Sequence, residues 1–198
     1  MVRLFVITAL ALAAASASGA ASVRGTDKND TLVGTPANDV IHGYGGDDNI
    51  YGGAGNDRLF GGPGKDHIFA GAGDDLVIGG PAVDPAKSTP VTRHERIFGG
   101  GGNDRIEVHV AGAIIDAGPG DDRIDIRDPA DDCHIRHGAR QLADPPHCID
   151  RVGTGTGNDI VRADDNNLDL VFCQGPDLVI ADSYDYVSPA CTVRRVKR

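Results

Sequence analysis

The sequence lacks the residues from which helical or aromatic-rich cores are built. It has no Trp, its single Met is Met1, and aromatic residues make up 5% of the chain. Glu is almost absent too, because 27 of the 29 acidic residues are Asp and only Glu95 and Glu107 are Glu. Asp and Gly are poor helix formers, and Gly occurs 28 times, so a helix bundle is excluded.

Positive charge and long apolar runs are also scarce. The net charge of −10 excludes a nucleic-acid binder, whose footprint would be basic. One apolar run of 12 residues, 4–15, follows Arg3 and precedes small residues, which is the layout of a secretory signal peptide. The run is shorter than the ~20 residues that span a bilayer. We predict a signal peptide over residues 1–20 and a secreted, extracellular mature chain over 21–198 without a membrane span; a membrane anchor is the alternative.

What the chain does contain is a repeat of nine residues. Asp recurs at this spacing seven times, at Asp30, Asp39, Asp48, Asp57, Asp66, Asp75 and Asp84. Two residues after each of the first six stands an aliphatic residue: Leu32, Ile41, Ile50, Leu59, Ile68 and Val77. A Gly-rich stretch precedes the Asp, so the unit reads GGxGxDxUx, where U is a large aliphatic residue.

The repeat continues in two weaker blocks. The second block has Ile97, Ile106, Ile115 and Ile124 at the U positions, with Asp104 and Asp122 in register. The third has Val152, Val161, Leu170 and Val179, with Asp150, Asp159 and Asp177 in register and Leu168 where an Asp is expected. We predict strict repeats over 25–84, partial repeats over 95–126 and degenerate repeats over 149–191. Insertions fall within 81–94, as an excess of two residues over two repeats, and within 128–148.

The unit predicts an all-β parallel β-roll. Glycine permits a tight turn, and xUx is long enough for a very short strand with U on one face. Two units complete a coil of 18 residues, so stacked coils form two parallel sheets of a right-handed solenoid with U between them. One aliphatic side chain per half-coil contributes ~1.5–3 kcal/mol, whereas ordering the backbone costs ~1–2 kcal/mol at each of the nine residues of the repeat, so the apolar contribution is the smaller of the two. A further interaction must therefore hold the coils together.

Calcium bound by the Asp residues is the predicted interaction. Asp residues 18 apart lie on adjacent coils and repel unless a cation lies between them. The predicted pairs are Asp30 with Asp48, Asp39 with Asp57, Asp48 with Asp66, Asp57 with Asp75, Asp66 with Asp84, Asp104 with Asp122, and Asp159 with Asp177. Carbonyl oxygens of the turns complete an all-oxygen site that suits several Ca²⁺ ions better than Mg²⁺ or Zn²⁺. We predict that these carbonyls lie near Gly43, Gly45, Gly52, Gly53, Gly55, Gly61, Gly62, Gly64, Gly71 and Gly73. A solvated acidic linker is the alternative.

Residues 43–80, GYGGDDNIYGGAGNDRLFGGPGKDHIFAGAGDDLVIGG, resemble the repeats-in-toxin family, the haemolysin-type calcium-binding repeat. The resemblance implies a parallel β-roll with Ca²⁺ in its turns. The chain departs from the family in its N-terminal export signal, in its four cysteines and in the little sequence left for an enzyme or toxin domain.

The cysteines are even in number, which suits an oxidising compartment. We favour the two local disulfides, Cys133 with Cys148 around the second insertion and Cys173 with Cys191 around the last coil, among three connectivities. A Zn²⁺ site is the alternative for the second insertion, formed from Asp131, Asp132, Cys133, His134, His137, His147 and Cys148.

Two classes of function fit these features. The first is a secreted calcium-binding β-roll, a structural, surface or matrix module with extracellular glycans as candidate partners. The second is a Ca²⁺-dependent β-helix enzyme or adhesin that acts on extracellular polysaccharide. We expect no enzyme activity, because neither insertion carries a recognisable catalytic set; Ser88 and His94 lack a nucleophile motif around them.

Overall fold

A computed structural model describes residues 19–80, 95–108, 112–127, 150–164, 169–183 and 185–196. Throughout these ranges the regular structure consists of short strands, numbered β1 to β17, and contains no helix. The first sheet consists of β1 (Ser22–Arg24), β3 (Val40–His42), β5 (Arg58–Phe60), β7 (Leu76–Ile78), β9 (Arg105–Glu107), β11 (Arg123–Asp125), β13 (Ile160–Ala163), β15 (Leu178–Ala181) and β17 (Thr192–Arg195). The second consists of β2 (Thr31–Val33), β4 (Asn49–Ala54), β6 (His67–Ala72), β8 (Arg96–Gly101), β10 (Ile114–Asp116), β12 (Arg151–Gly153), β14 (Leu170–Phe172) and β16 (Tyr186–Val187).

Odd-numbered and even-numbered strands alternate between the two sheets, which is the connectivity of a solenoid. Each strand pairs in parallel with the strand one coil further on, as Ile41 does with Leu59 and Ile50 with Ile68. A regular coil takes about 18 residues and the solenoid has about 7 coils. The predicted fold, an all-β parallel two-sheet solenoid, is confirmed.

The core is a double row of aliphatic side chains between the sheets. The central residue of a strand points inward while its neighbours point outward, as in β5, where Leu59 is buried and Arg58 is exposed. The U residues of the first two blocks are at most 3% exposed, as are Val152, Val161 and Val179 of the third. A coil of the first block therefore buries only two large apolar side chains, as the repeat unit predicts.

The first insertion is longer than predicted. Ile97 pairs with Ile68 and Ile106 with Val77, so each pair lies 29 residues apart instead of 18. A single corner of the solenoid, between β7 and β8, holds the whole excess. The prediction of two repeats plus two residues is wrong, because the aliphatic spacing alone could not show which residues left the coil.

The third block also differs from the prediction in register. Val171 pairs with Val152 and is fully buried, while Leu170 is only partly buried beside it. The corner before β14 contains one extra residue, so Asp169, not Leu168, precedes this strand as the in-register acid. Leu170 and Val171 are both aliphatic, and the signal that favours Val171 is Asp169, which stands two residues before it.

All the corners that are longer than the repeat lie on one edge of the solenoid. They lead from the first sheet to the second: from β7 to β8, from β11 to β12 and from β13 to β14. The corners that lead from the second sheet back to the first keep the repeat length through the first two blocks. We call these sides the irregular edge and the regular edge.

Aromatic rings stack in a column on the outer face of the second sheet. Tyr51, Phe69 and Phe98 follow one another on β4, β6 and β8, with ring centroids 5.1 and 4.9 Å apart and ring planes within 4° of parallel. Tyr51 is 40% exposed and Phe98 36%. The spacing follows the coil rise, because side chains at equivalent positions lie directly above one another.

A disulfide closes the C-terminal end. Cys173 and Cys191 are bonded, with their Cα atoms 5.4 Å apart, as the sequence predicts. This bond ties the segment after β14 to the residue that precedes β17, and β17 is exposed along its whole length. Cys133 and Cys148, with the alternative Zn²⁺ residues between them, lie outside the described residues.

Replacing both Cys173 and Cys191 by Ser is expected to lower the free energy of unfolding by about 3 kcal/mol, because the bond closes a loop of 18 residues. The measurement is a urea titration at saturating calcium, with hydrogen exchange of β15 and β17 as the local readout. Unchanged exchange in these two strands would show that the last coil does not depend on the bond.

Glycine at the corner allows the coils to approach closely. Gly62 has φ of +99°, and a Cβ there would collide with the carbonyl oxygen of Tyr44 in the preceding coil. Gly101, at the end of β8, has open space where its Cβ would lie. The two glycines thus differ in whether an added methyl group can be tolerated.

Gly62→Ala is expected to destabilise the protein by at least about 1–3 kcal/mol through backbone strain alone. Gly101→Ala is the matched control and should change stability by less than about 1 kcal/mol. Thermal unfolding at saturating calcium compares them. Equal losses for the two variants would contradict the close-packing argument.

Candidate metal centre

Every corner ends in a residue that faces back into the coil stack. This residue stands two positions before the buried aliphatic residue, so the strand that follows determines the position of its side chain. It is Asp at most corners, and the Asp side chains at these positions are at most 6% exposed. The corner begins with a small residue, two positions after the previous core residue, and in the first block this is usually Gly.

On the regular edge these acids form a continuous ladder of hydrogen bonds. The backbone N–H of each donates to the Oδ1 atom of the acid one coil further on, at 2.7–3.1 Å. We call this the continuous ladder; its members are Asp39, Asp57, Asp75, Asp104, Asp122, Asp159 and Asp177. The structure corrects two predicted relations, since Asp75 is followed by Asp104 and Asp122 has a second neighbour, Asp159.

On the irregular edge the corresponding ladder is interrupted. Its positions are Asp30, Asp48, Asp66, Glu95, Ala113, Asp150, Asp169 and Asp185, and we call it the interrupted ladder. Asp84 was predicted to follow Asp66, but Arg96 pairs with His67, so Glu95 occupies that place. Asp84 itself lies outside the described residues.

Besides the continuous ladder, the regular edge carries another ladder of side chains on its outer side. It runs in the opposite sense, because each Oδ1 accepts the backbone N–H of the residue one coil further on, as Asn38 does from Asn56 at 2.9 Å. The series continues through Asp74, Asn103, Asp121 and Asn158. These residues were not predicted from the sequence, although each stands directly before a ladder Asp in a recurring Asn-Asp or Asp-Asp pair.

The inner acids have oxygens to spare. The Oδ2 atoms of seven Asp residues are buried and find no hydrogen-bond donor among the described residues: Asp48, Asp57, Asp66, Asp75, Asp104, Asp122 and Asp159. A buried carboxylate oxygen without a partner costs several kcal/mol, so these atoms require either a cation or a bound proton.

The free oxygens converge with backbone carbonyls on gaps left by glycine. At Gly52 an added Cβ would lie 2.5 Å from Asp57 Oδ2 and also against the carbonyl oxygen of Ala70. At Gly61 it would meet Asp66 Oδ2 and lie 3.0 Å from the carbonyl oxygen of Gly79. The structure therefore brings the carbonyls near Gly43, Gly52 and Gly61 beside the carboxylates.

The other predicted carbonyl donors do not all meet there. The carbonyl oxygens of Gly53, Gly55, Gly62 and Gly71 instead point at a glycine of the next coil, where they would collide with an added Cβ. Among the described residues no three His, Cys, Asp or Glu side chains come together as a group that could hold a metal. A metal here must be bound by one or two carboxylates with main-chain carbonyls, an all-oxygen donor set that suits Ca²⁺. The residues fit this ion.

Three predicted acids are satisfied by hydrogen bonds of their own. Asp30 Oδ2 accepts from the Thr26 N–H at 2.5 Å, and Asp39 Oδ2 accepts from the N–H of Thr35. Asp177 Oδ2 accepts from the Thr154 hydroxyl at 2.7 Å. These acids stand at the ends of the array, where the protein supplies the donors that the inner acids lack.

Two corners of the irregular edge have lost the glycine at which a corner begins, and one of them has also lost its acid. Val108 and Ile126 are fully buried where the first block has Gly, and Ala113 stands at a ladder position that elsewhere carries an acid. The larger side chains fill the space that glycine leaves open. Apolar packing thus replaces the carboxylate at the corner between β9 and β10.

Burial without a counter-charge raises the pKa values of the inner acids. Desolvation, opposed by the ladder N–H and reinforced by neighbouring carboxylates, raises the pKa of Asp66 and Asp104 to about 7. It raises the pKa of five further acids to about 6: Asp48, Asp57, Asp75, Asp122 and Asp159. At neutral pH the metal-free ladders therefore carry unfavourable charge.

Comparison with protein families supports this assignment. The family model for the RTX calcium-binding nonapeptide repeat matches residues 24–59, 51–84 and 92–107, which is less than half of the chain. These segments are RTX calcium-binding repeats, so the family predicted from the sequence is confirmed and calcium is the metal that such repeats bind. No curated protein and no solved structure shows significant similarity to the chain. In its described part the chain has no helix that is long and apolar enough to cross a membrane.

The calcium-free protein is expected to gain strand structure as the pH falls from 8 to 5. An Asp whose folded-state pKa is raised above 3.8 contributes stability that is present below that value and is lost as the pH rises through 6–7. Circular dichroism in calcium-depleted buffer measures the change. A loss of strand signal on acidification would contradict the raised pKa values.

Proposed function

We propose that this chain is a secreted calcium-binding module whose coils fold around several Ca²⁺ ions. The observation that carries the proposal is the row of buried Asp Oδ2 atoms without donors, four of which, those of Asp48, Asp57, Asp66 and Asp104, lie next to a main-chain carbonyl. Calcium neutralises the stacked carboxylates and draws oxygens from adjacent coils to one ion. It supplies the interaction that two aliphatic residues per coil cannot.

The inner acids of both ladders are the proposed ligands. Asp57, Asp75, Asp104 and Asp122 each have acids on both sides in the continuous ladder, so each can contribute to the two adjacent corners. Asp48 and Asp66 do the same in the first block of the interrupted ladder. Metal-free, the array resembles a set of like charges on a Gly-rich chain and should be largely unfolded at neutral pH.

The role of the module is structural, at a cell surface or in an extracellular matrix, with glycans as candidate partners. Extracellular calcium is high enough to fill sites with dissociation constants of ~10⁻⁴–10⁻³ M, the range of extracellular modules. The disulfide between Cys173 and Cys191 suits an oxidising compartment. The repeats and their cap account for most of the described residues.

Asp57→Asn is expected to raise the calcium concentration at the folding midpoint much more than Asp177→Asn. Asparagine keeps the Oδ1 acceptor of the ladder but removes the free anionic oxygen, which at position 57 is buried without a donor. At position 177 the corresponding oxygen already accepts from Thr154. Circular dichroism follows both titrations at pH 7.5.

Magnesium provides the matching control, because it gives up its waters reluctantly and should not fold the wild-type chain at the same concentrations. Full strand content in a chelator at neutral pH would overturn the proposed function. Equal midpoints for the two Asn variants would show that the free oxygens are not ligands.

A further inference from the structure

Glu95 is the one acidic ladder residue whose two carboxylate oxygens are both unengaged. It is 1% exposed, and neither Oε1 nor Oε2 has a hydrogen-bond donor within the described ranges. The Asp residues of the ladders place one oxygen on the N–H of the preceding coil. Glu95 stands at the same ladder position but has one methylene more, and neither of its oxygens is held in this way.

The carboxylate lies in a gap formed by glycine. A Cβ on Gly79 would collide with Glu95 Oε2 and would lie 3.0 Å from the Cδ atom and 3.3 Å from Oε1. Gly79 begins the corner that holds the first insertion, and its carbonyl oxygen also approaches the Cβ position of Gly61 and hence Asp66 Oδ2. The free oxygen of Asp66, both oxygens of Glu95 and a main-chain carbonyl thus lie at the corners that lead into β6 and β8.

Among the described residues, the charged groups that act on this corner are negative. Asp66 and Asp150 are the charged groups that act on Glu95, and each of them opposes its ionisation. On the other side Ala113 supplies no carboxylate, and the adjacent Val108 is apolar and fully buried. No Lys or Arg acts on Glu95 among these groups, so a bound cation is the partner that the site can take.

We propose that Glu95 binds calcium through both carboxylate oxygens and makes its corner the tightest calcium site of the array. The proposal rests on the proposed function and adds to it a ligand that the nine-residue motif, which has Asp at this place, does not supply. Calcium favours a bidentate Glu, and its affinity rises with the number and charge of the ligands. The site joins the first block to the second across the first insertion.

The test is a calcium titration of Glu95→Gln, with Glu107→Gln as the matched control. Glu107 is the chain's only other Glu and forms an exposed ion pair with Arg105 on the outer face. Glu95→Gln is expected to raise the calcium midpoint of folding roughly tenfold or more, because a charged bidentate ligand is lost. Glu107→Gln should leave the midpoint within about twofold, because exposed ion pairs contribute little.

A buried but non-binding Glu95 predicts the opposite sign. Removing its uncompensated charge would then stabilise the metal-free fold, and the midpoint would fall or stay unchanged. That result, with Asp57→Asn still raising the midpoint, would overturn this inference and leave the proposed function standing. If neither Glu95→Gln nor Asp57→Asn raised the midpoint, the calcium array itself would be wrong.

Hydrogen exchange of the wild-type protein gives a second measurement that does not depend on a variant folding. At subsaturating calcium, protection should appear first in β6 and β8, which flank Glu95, and only at higher calcium in β13 and β15. Protection that appears in β6 and β8 no earlier than in β13 and β15 would contradict the tight site.

Discussion

Like charge buried at the spacing of one coil is the constraint on which this structure depends. Parallel strand pairing places equivalent residues directly above one another, so an acid that recurs in every coil becomes a row of acids within the protein. The ladder hydrogen bonds satisfy one oxygen of each inner Asp and leave the other exposed to its neighbours' charge. Protons or cations that neutralise this charge stabilise the stacked coils, and this links the fold to its ligand.

The same constraint explains how the composition changes along the chain. Where Gly faces a carboxylate, as at Gly52 and Asp57, a buried carboxylate oxygen is left without a donor. Where the corner begins with Val108 and ends with Ala113, buried apolar side chains stand in place of glycine and acid. At the last coil the Thr154 hydroxyl satisfies Asp177 and the disulfide of Cys173 closes the loop. The solenoid thus passes from corners with a free carboxylate oxygen to corners that the protein stabilises by itself.

Most of the architecture could be predicted from the sequence, because the repeat unit encodes turn, strand and core position at once. The prediction failed where residues were added to a corner, because a Pro-rich stretch does not indicate how many of its residues belong to the insertion and how many to the coil. Asp84 was predicted in place of Glu95 because the nine-residue spacing of Asp continues to position 84. Counting back two residues from Ile97 would have found Glu95, and the same rule applied to Val171 finds Asp169.

Part of the site had no signal in the sequence. The repeat predicts that stacked Asp residues share a cation, but not that each gives one oxygen to the backbone of the preceding coil. Nor does it predict that Asp30 and Asp39 are satisfied by Thr26 and Thr35. Those differences depend on which donors each corner happens to contain, which only the three-dimensional arrangement reveals.

The division into a regular and an irregular edge has a consequence for how such a chain can evolve. A coil can be duplicated or lost as a unit, but a single inserted residue can be accommodated only at a corner, where it leaves strand register intact. Both long insertions, and the extra residue before β14, lie on the same edge. The opposite edge can then preserve an unbroken row of Asp while its counterpart accepts new sequence. Mutation thus explores one side of the molecule while the other keeps the inherited pattern.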